Sequence, residues 1–250
     1  MNTVFDDHCH VASAWAEAIG DFPRDRYPSC CCGTGPADWL AVQRTAGRVD
    51  GMVPAYGIHP WWLPSEDERP VWLNLLASHL SGDPGAVVGE IGLDFTRRPL
   101  VDHAFQRAVF LDQLKLAQRF RRVAVVHCVS AWGALCDVMD EVGGCPRGLV
   151  LHAYGGSPDM VSRLARYGAW FSLKMPLALD AKAMARIRAV PINRLLLESD
   201  ATFDEFRSIV DTRTMLADAL APIASLLDLL PDQLAALATA NALRCFRIGE

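Results

Sequence analysis

The sequence predicts an α/β fold in which eight parallel strands close into a single (β/α)8 barrel of the TIM type. Three observations favour this fold. The chain has 250 residues, close to the ~250 typical of such a barrel. Short apolar runs alternate with helix-like stretches, which indicates a parallel sheet covered by helices. Several runs end in a histidine or an acidic residue, and the carboxyl ends of parallel barrel strands share one rim.

The strand candidates are short apolar runs bounded by glycine, proline or polar residues. Such runs are typical of strands that are buried on both faces of a parallel sheet. In chain order they end near His10, Thr34, Ile58, Gly92, Cys128, His152, Leu173 and Ser199.

The clearest helix is predicted from Ala104 to Arg119, where apolar residues recur at roughly a 3.6-residue period. Weaker helical patterns cover Trp132 to Glu141, Pro158 to Tyr167, and Ala181 to Ala189. The region from Glu205 to Phe246 predicts two or three helices, with Pro222 and Pro231 as breaks or first-turn positions. The sequence contains no linker-like or repetitive segment, so we expect one domain over residues 1–250.

Composition narrows the class of protein. The hydrophobic content of 51% is enough for a large core, and no apolar run reaches the ~18 residues that a membrane span needs. Asp6 and Asp7 stand where an export signal would carry Lys or Arg. We therefore expect a cytoplasmic protein with no membrane association and no obligate protein partner. Its eight cysteines are predicted to be buried free thiols.

The charge balance bears on possible substrates. The net charge is −5, from 24 basic and 29 acidic residues, and no long basic stripe is present. This pattern is unlike that of proteins that bind nucleic acid through a broad positive surface. Bound divalent cations would offset much of the negative charge, so the net charge does not exclude phosphate-containing substrates.

The first ligand candidates are His8, His10 and Glu90. His8 and His10 are two residues apart on a predicted strand, so they point to the same face, which is the lumen in a barrel. Glu90 is an isolated acid in an apolar run. A buried carboxylate needs a cation or hydrogen-bond partners, and a salt bridge to an arginine is the structural alternative.

His127, His152 and Asp200 complete the set. Each histidine ends an apolar run, and Asp200 follows three leucines and Glu198. Taken singly, each histidine is explained by core hydrogen bonding and Asp200 by a helix N-cap. Their coincidence at the same end of several strands predicts a metal site instead. Imidazole and carboxylate ligands suit Zn²⁺, Mn²⁺ or Fe, and carboxylate-rich variants accept Mg²⁺. A metal centre of this kind can activate water and bind a phosphoryl oxygen, and Asp200 could accept the proton.

The motifs around these residues resemble one family. In order they are FDDHCH at residues 5–10, GIHPWW at 57–62, GEIGLDF at 89–95, VVHC at 125–128, LVLHAYGGS at 149–157 and LLLESDA at 195–201. Over residues 5–246 the chain resembles the TatD family of metal-dependent hydrolases, which includes TatD-type deoxyribonucleases.

The resemblance implies a centre of two divalent ions. The implied ligands of one ion are His8, His10 and Asp200, those of the other are His127 and His152, and Glu90 bridges them. Glu90 and Asp200 are therefore the predicted catalytic residues. His59 and Asp94 match family positions that contact substrate or position water.

We predict a divalent-metal-dependent phosphodiesterase that acts on DNA through a metal-activated water, with Zn²⁺, Mn²⁺ or Mg²⁺ as cofactor. Two alternatives stay open: hydrolysis of a small amide, lactone or phosphoester by the same metals, and a non-catalytic scaffold on the same fold. Trp61 and Trp62 are candidate substrate contacts that could stack on nucleobases, although packing within their loop is an equal alternative. Val129 stands where relatives often carry an arginine that could bind phosphate.

Overall fold

The computed structural model describes residues 4–10, 27–96, 102–202 and 215–248. Every strand pairing in its sheet is parallel. The strands are β1 (Asp6–His10), β2 (Ser29–Cys32), β3 (Met52–Tyr56), β4 (Val87–Asp94), β5 (Ala124–Val129), β6 (Leu149–Leu151), β7 (Ala169–Lys174), β8 (Leu195–Glu198) and β9 (Ala201–Thr202). Their order in the sheet is β8-β7-β6-β5-β4-β3-β2-β1-β9.

The sheet closes because β8 and β9 belong to one run of chain, interrupted only by Ser199 and Asp200. β8 pairs with β7, and β9 pairs with β1, where Cys9 lies opposite Ala201. At the interruption the backbone N–H of Asp200 donates to the carbonyl of His8 at 2.9 Å. The predicted (β/α)8 barrel is therefore confirmed, and its eighth strand is split in two. Each of the first eight strands ends within two residues of its predicted end.

The helices are α1 (Trp39–Ala46), α2 (Arg69–Gly82), α3 (His103–Phe120), α4 (Trp132–Val142), α5 (Val161–Arg166), α6 (Ala181–Ala189), α7 (Leu220–Leu226) and α8 (Pro231–Phe246). The predictions for α3, α4 and α6 are confirmed to within a residue at each end. The helix predicted from residue 158 instead begins as a 3₁₀ turn, Pro158–Met160, that leads into α5. Pro222 lies in the first turn of α7 and Pro231 begins α8. Residues 205–214 of the predicted last helical region lie outside the described residues.

α1 and α2 are not predicted by the sequence pattern. α1 is only eight residues long. In α2, Leu76 and Leu80 are buried, but Val71 and Leu75 are exposed. Its apolar residues thus spread around the helix instead of forming one stripe, and the 3.6-residue signal is lost.

The lumen of the barrel is apolar at the amino ends of the strands and polar at the carboxyl ends. Val125 and Val150 belong to one buried apolar cluster with Phe246 of α8. Two residues further along their strands, on the same face, stand His127 and His152. The polar side chains thus lie directly above a buried apolar layer of the lumen, and this layer excludes water from the side of the histidines that faces the amino ends of the strands. All eight cysteines are buried and free, as predicted.

Within the described residues, no single helix is long and apolar enough to cross a membrane. The helical segments Met215–Leu226 and Pro231–Phe246 meet the length and composition criteria only as a pair, across a bend of 102°.

Candidate metal centre

The predicted ligands come together at the carboxyl rim of the barrel. They reach it from different strands because parallel strands all end there. β1 supplies two of them, β4 and β5 one each, and the residues that follow β6 and β8 supply the others. The set is His8, His10, Glu90, His127, His152 and Asp200.

One group forms around the two histidines of β1. The Nε2 atoms of His8 and His10 are 3.0 Å apart, and Asp200 Oδ1 lies 3.7 and 3.9 Å from them. Glu90 Oε2 is 3.5 Å from His8 Nε2 and 3.0 Å from His10 Nε2. Ligand atoms that share a tetrahedral ion at about 2.0–2.2 Å lie roughly 3.3–3.6 Å from one another. The spacing and the donor chemistry of this group fit a divalent ion.

The other oxygen of Glu90 faces a second group. Oε1 is 3.0 Å from His127 Nδ1, 3.3 Å from His152 Nε2 and 3.5 Å from His59 Nε2. The Glu90 side chain is 2% exposed. Burial by itself would raise the pKa of Glu90, but the surrounding imidazoles hold it well below the usual value. Glu90 is therefore a buried carboxylate that presents one oxygen to each of two groups of histidines.

Partners behind the histidines determine which ring nitrogen faces the site. His10 Nδ1 is 2.9 Å from the carbonyl of Cys32, and His152 Nδ1 is 2.9 Å from Glu198 Oε1. His8 Nδ1 lies 3.4 Å from Cys32 Sγ. A carbonyl or carboxylate acceptor keeps the proton on Nδ1, so Nε2 turns its lone pair toward the site, as in many protein metal centres.

His127 is held the other way round. Its Nε2 is 3.2 Å from Asp94 Oδ2, so Nδ1 faces Glu90. Asp94 Oδ2 also accepts from Trp61 Nε1 at 2.6 Å, and Oδ1 accepts from the backbone of Thr96 at 2.9 Å. Burial raises the pKa of Asp94, but these hydrogen bonds outweigh it and lower the pKa to about 2. Asp94 lies behind His127 and orients two side chains; its predicted contact with substrate stays a prediction.

His59 is close to the centre but is arranged as a donor. Its Nδ1 accepts the backbone N–H of Trp61 at 3.1 Å. A neutral imidazole carries one proton, so this bond places it on Nε2, which faces Glu90. Burial lowers the pKa of His59, which favours this neutral form. A protonated Nε2 is no metal ligand, and the arrangement suits the predicted position that contacts substrate or water.

The carboxylates favour positive charge at the centre. Burial lowers the pKa of His10, but the hydrogen bond and charge of Glu90, together with Asp200, raise it to about 9. In the same way, Glu198 and Glu90 overcome burial and raise the pKa of His152 to about 10. Protons and metal ions compete for these nitrogens, so the same field that holds the protons attracts a divalent ion.

Two functional residues were missed or misjudged from the sequence. Glu198 orients His152, and its Oε1 also accepts the backbone N–H of Ala153 at 2.8 Å. The signal was present, since Glu198 is an isolated acid after three leucines, as Glu90 is in its own run. Lys174 is not among the predicted site residues. It ends β7, and its Nζ donates to Asp200 Oδ2 at 2.7 Å, at the rim of the site.

A cavity of about 310 Å³ opens beside the first group. Its lining includes His10, His59, Glu90, Trp61 and Trp62. Trp62 is 58% exposed, whereas Trp61 is 38% exposed and its ring N–H is bound by Asp94. Trp61 therefore packs in its loop while still lining the cavity, and Trp62 lines the same cavity with a more exposed ring.

The barrel and the convergent imidazole and carboxylate side chains define the class of barrel-type metal-dependent hydrolases. The family described as TatD related DNase matches residues 5–247, and the chain belongs to that family. The resemblance inferred from the motifs is thus confirmed.

Relatives agree with this assignment. Human "Deoxyribonuclease TATDN3" is 29% identical over 170 residues, which cover 64% of this chain and 61% of the human protein. "3'-5' ssDNA/RNA exonuclease TatD" of Cronobacter sakazakii is 28% identical over 163 residues, covering 63% of this chain and 60% of the relative. This chain thus spans about three fifths of each of these relatives. The crystal structure of YJJV, a TatD homolog from Escherichia coli K12, superposes with a TM-score of 0.81 at 20% identity and covers 98% of both chains, which shows the shared fold.

Proposed function

We propose that this protein is a divalent-metal-dependent phosphodiesterase that hydrolyses DNA with water as the nucleophile. One observation carries the proposal: Glu90 is buried, and its two oxygens face different groups of histidines, at 3.0 Å from His10 and 3.0 Å from His127. This division is what a carboxylate shared by two ions requires. Membership of the TatD-related DNase family supports the same activity.

In the proposed centre, His8, His10 and Asp200 hold one ion, His127 and His152 hold the other, and Glu90 serves both. The mixed imidazole and carboxylate donors are compatible with Zn²⁺, Mn²⁺ or Mg²⁺. When bound, such ions lower the pKa of a water molecule and neutralise charge that develops on phosphoryl oxygens.

Asp200 is the proposed general base. Burial raises its pKa, but His8, His152 and Lys174 together hold the pKa below the usual value. Asp200 is therefore ionised at neutral pH and able to accept a proton from water. Its Oδ2 is bound by Lys174, which leaves Oδ1 facing the histidines of β1. We propose that His59, whose protonated Nε2 faces Glu90 Oε1 at 3.5 Å, donates to a water or substrate oxygen that binds beside Glu90.

The cavity lining suggests how DNA binds. Trp62 offers an exposed ring on which an unpaired base could stack. Val129 is 38% exposed where relatives often carry arginine, so it provides no charge for a phosphate. With a net charge of −5, affinity rests on the metal centre and a few cations, and we expect weak, salt-sensitive cleavage that prefers single strands or chain ends.

The experiment compares cleavage of single-stranded, duplex and nicked DNA with turnover of a generic phosphodiester, a small ester and a small amide, each with Mg²⁺, Mn²⁺ or Zn²⁺. Trp62→Ala should lower kcat/KM for single-stranded DNA about tenfold, because stacking on an aromatic ring contributes about 1–3 kcal/mol per base. Leu40→Ala, which alters a similarly exposed apolar residue on α1, is the matched control and should leave cleavage unchanged.

Each contrary outcome selects an alternative. If DNA stays intact while the ester or amide is hydrolysed, the protein is a small-molecule hydrolase that uses the same centre. If metal binds and no substrate is turned over, the scaffold alternative takes its place. The proposed enzyme is cytoplasmic, consists of one domain over residues 1–250 and acts without a protein partner; these parts rest on the sequence alone.

A further inference from the structure

A second cavity lies at the opposite end of the barrel from the metal centre. It has a volume of about 420 Å³ and is lined by Arg121, Arg122, Arg147 and Arg247, together with Pro84, Gly85, Ala86, Val87, Val123 and Phe246. Val87 begins β4, Val123 directly precedes β5, and Arg147 precedes β6 by two residues. These positions are the amino ends of the strands. We refer to this space as the arginine cavity.

The charge of the arginine cavity is one-sided. Four guanidinium groups line it, and no acidic side chain does so among the described residues. Asp83 is nearby, but its oxygens accept hydrogen bonds from the Tyr56 hydroxyl at 3.0 Å and the backbone of Gly85 at 3.2 Å. In a chain whose net charge is −5, this local excess of positive charge needs a reason.

Helix ends account for two of the arginines. Arg121 follows α3 and Arg247 follows α8, each with a φ of 54°. Positive charge is favourable at the carboxyl end of a helix. Arg122 also has partners, because its guanidinium donates to the carbonyls of Leu80 at 3.2 Å and Asp83 at 3.3 Å.

Arg147 has no such explanation. It lies five residues beyond the end of α4, outside the last turn where a helix terminus favours positive charge, and within the described part of the chain its guanidinium makes no hydrogen bond and no ion pair. Among the described residues, the Nε atoms of Arg122 and Arg147 are buried and have no hydrogen-bond partner. Burial lowers the pKa of Arg122, the charge of Asp83 raises it, and the positive charge of Arg147 lowers it, so the two guanidinium groups are near enough to repel. Keeping such groups together is unfavourable unless an anion joins them.

We propose that the arginine cavity binds the phosphate group of a small phosphate monoester. Guanidinium groups match phosphate oxygens with paired hydrogen bonds. The volume lies within the range of about 300–1,000 Å³ typical of small-molecule sites. The apolar part of the lining, from Pro84 to Val87 and at Phe246, suits the organic part of such a ligand. A polynucleotide would instead need an extended basic stripe, which the sequence lacks.

The test is isothermal titration of the full chain with inorganic phosphate, deoxyadenosine monophosphate, deoxyadenosine and a single-stranded oligonucleotide, at constant ionic strength. Chelator is added so that phosphate cannot bind at the metal centre. We expect the two phosphate-bearing probes to bind at one site and deoxyadenosine not to bind. Arg147→Glu should weaken binding at least about tenfold, and Arg147→Lys, which keeps the charge but loses the planar fork, should lie between.

Arg188→Glu is the matched control, because Arg188 is an exposed arginine on α6 outside the cavity. It should bind the probes like the wild type, and metal-loaded Arg147→Glu should keep its hydrolytic activity. Phosphate binding that is unchanged in a folded Arg147→Glu protein would overturn the proposal. So would a lower Tm of Arg147→Glu without any phosphate binding by the wild type, which would make the arginines structural only. If a single-stranded oligonucleotide alone bound in an Arg147-dependent way, the small-molecule assignment would fail. None of these outcomes depends on whether the protein cleaves DNA.

Discussion

Glu198 offers a sharp test of how the centre is built. It is fully buried, and its Oε1 accepts from His152 Nδ1 at 2.9 Å and from Ala153 N–H at 2.8 Å. Glu198→Gln keeps the shape of the side chain and removes its charge. The amide oxygen can still accept one of these bonds, but the field that favours a proton on Nδ1 of His152 is weaker. We therefore expect a smaller fraction of His152 to be in the tautomer that carries its proton on Nδ1 and has the Nε2 lone pair free to bind a metal ion.

The size of the effect follows from the structure. Burial lowers the pKa of His152, and the charge of Glu198 is the largest of the influences that raise it to about 10. Glu198→Gln should therefore lower this pKa. Removal of a carboxylate that orients a ligating histidine typically weakens metal binding about 10–100-fold, which corresponds to about 1.4–2.7 kcal/mol. The loss should fall on the ion held by His127 and His152.

The assay is metal titration of chelator-treated protein by calorimetry, with histidine NMR shifts to follow the pKa of His152. Glu68→Gln, which neutralises an exposed carboxylate that accepts hydrogen bonds from Ser65, is the control. Among the described residues, Asp7 Oδ1 and Glu198 Oε2 are buried and have no hydrogen-bond partner, and burial together with the charge of Glu198 raises the pKa of Asp7 well above its usual value. Glu198→Gln therefore removes a repulsion with Asp7 but also removes the attraction between Glu198 and His152. A thermal melt of each variant accompanies the titration, so that a loss of metal affinity is scored only in folded protein.

Two results would refute this reasoning. Wild-type affinity for every bound ion in folded Glu198→Gln would show that the carboxylate does not support the centre. An equal loss at both ions would show that Glu198 acts on the whole rim and not through His152.

Three further predictions concern the centre itself. Glu90→Gln should weaken binding of both ions in a metal titration, whereas His127→Ala should weaken mainly one; wild-type stoichiometry and affinity in Glu90→Gln would exclude a bridging role. Asp200→Asn should lower turnover about 10²–10⁴-fold with an unchanged circular dichroism spectrum, and near-normal turnover would remove Asp200 from the mechanism. Because the pKa values of His10 and His152 are raised to about 9 and about 10, metal must displace their protons. Affinity should thus rise with pH between pH 6 and 9 with proton release, and a flat calorimetric pH profile would contradict this.

The ligand positions could be predicted because each one breaks a strong local pattern. Glu90, His127 and His152 are polar residues at the ends of strands whose other residues are apolar, and that contrast is visible in a single sequence. Glu198 shows the same contrast but is not among the predicted site residues. Asp200, two residues further on, is a second acid at the same strand end and was predicted in its place. The predicted roles of the ligands stay predictions until metal binding is measured.

Other features could not be predicted because they depend on backbone groups or on distant parts of the chain. His10 Nδ1 is bound by the backbone carbonyl of Cys32. Because every residue has a backbone carbonyl, the identity of the side chains cannot indicate which one is the acceptor. The bond from Trp61 to Asp94 and that from Lys174 to Asp200 join residues 33 and 26 positions apart. Both require the register of the strands to be known first.

The contacts that close the barrel also position Asp200, one of the proposed metal ligands. Asp6 accepts the backbone N–H of Ser199 at 2.8 Å, the Ser199 hydroxyl at 2.6 Å and the Tyr27 hydroxyl at 2.5 Å. Ser199 separates β8 from Asp200, whose φ of 49° turns the chain toward β1.

Burial raises the pKa of Asp6 from 3.8 to about 6, although these hydrogen bonds lower it. A carboxyl with a raised pKa binds its proton more tightly in the folded state, so its contribution to stability is complete below pH 3.8 and is lost as the pH rises through about 6. A shift of about two units corresponds to roughly 3 kcal/mol. At neutral pH the ionised, buried Asp6 thus lowers the stability of the barrel. Its hydrogen bonds to Ser199 nevertheless hold the neighbouring Asp200 beside His8 and His10.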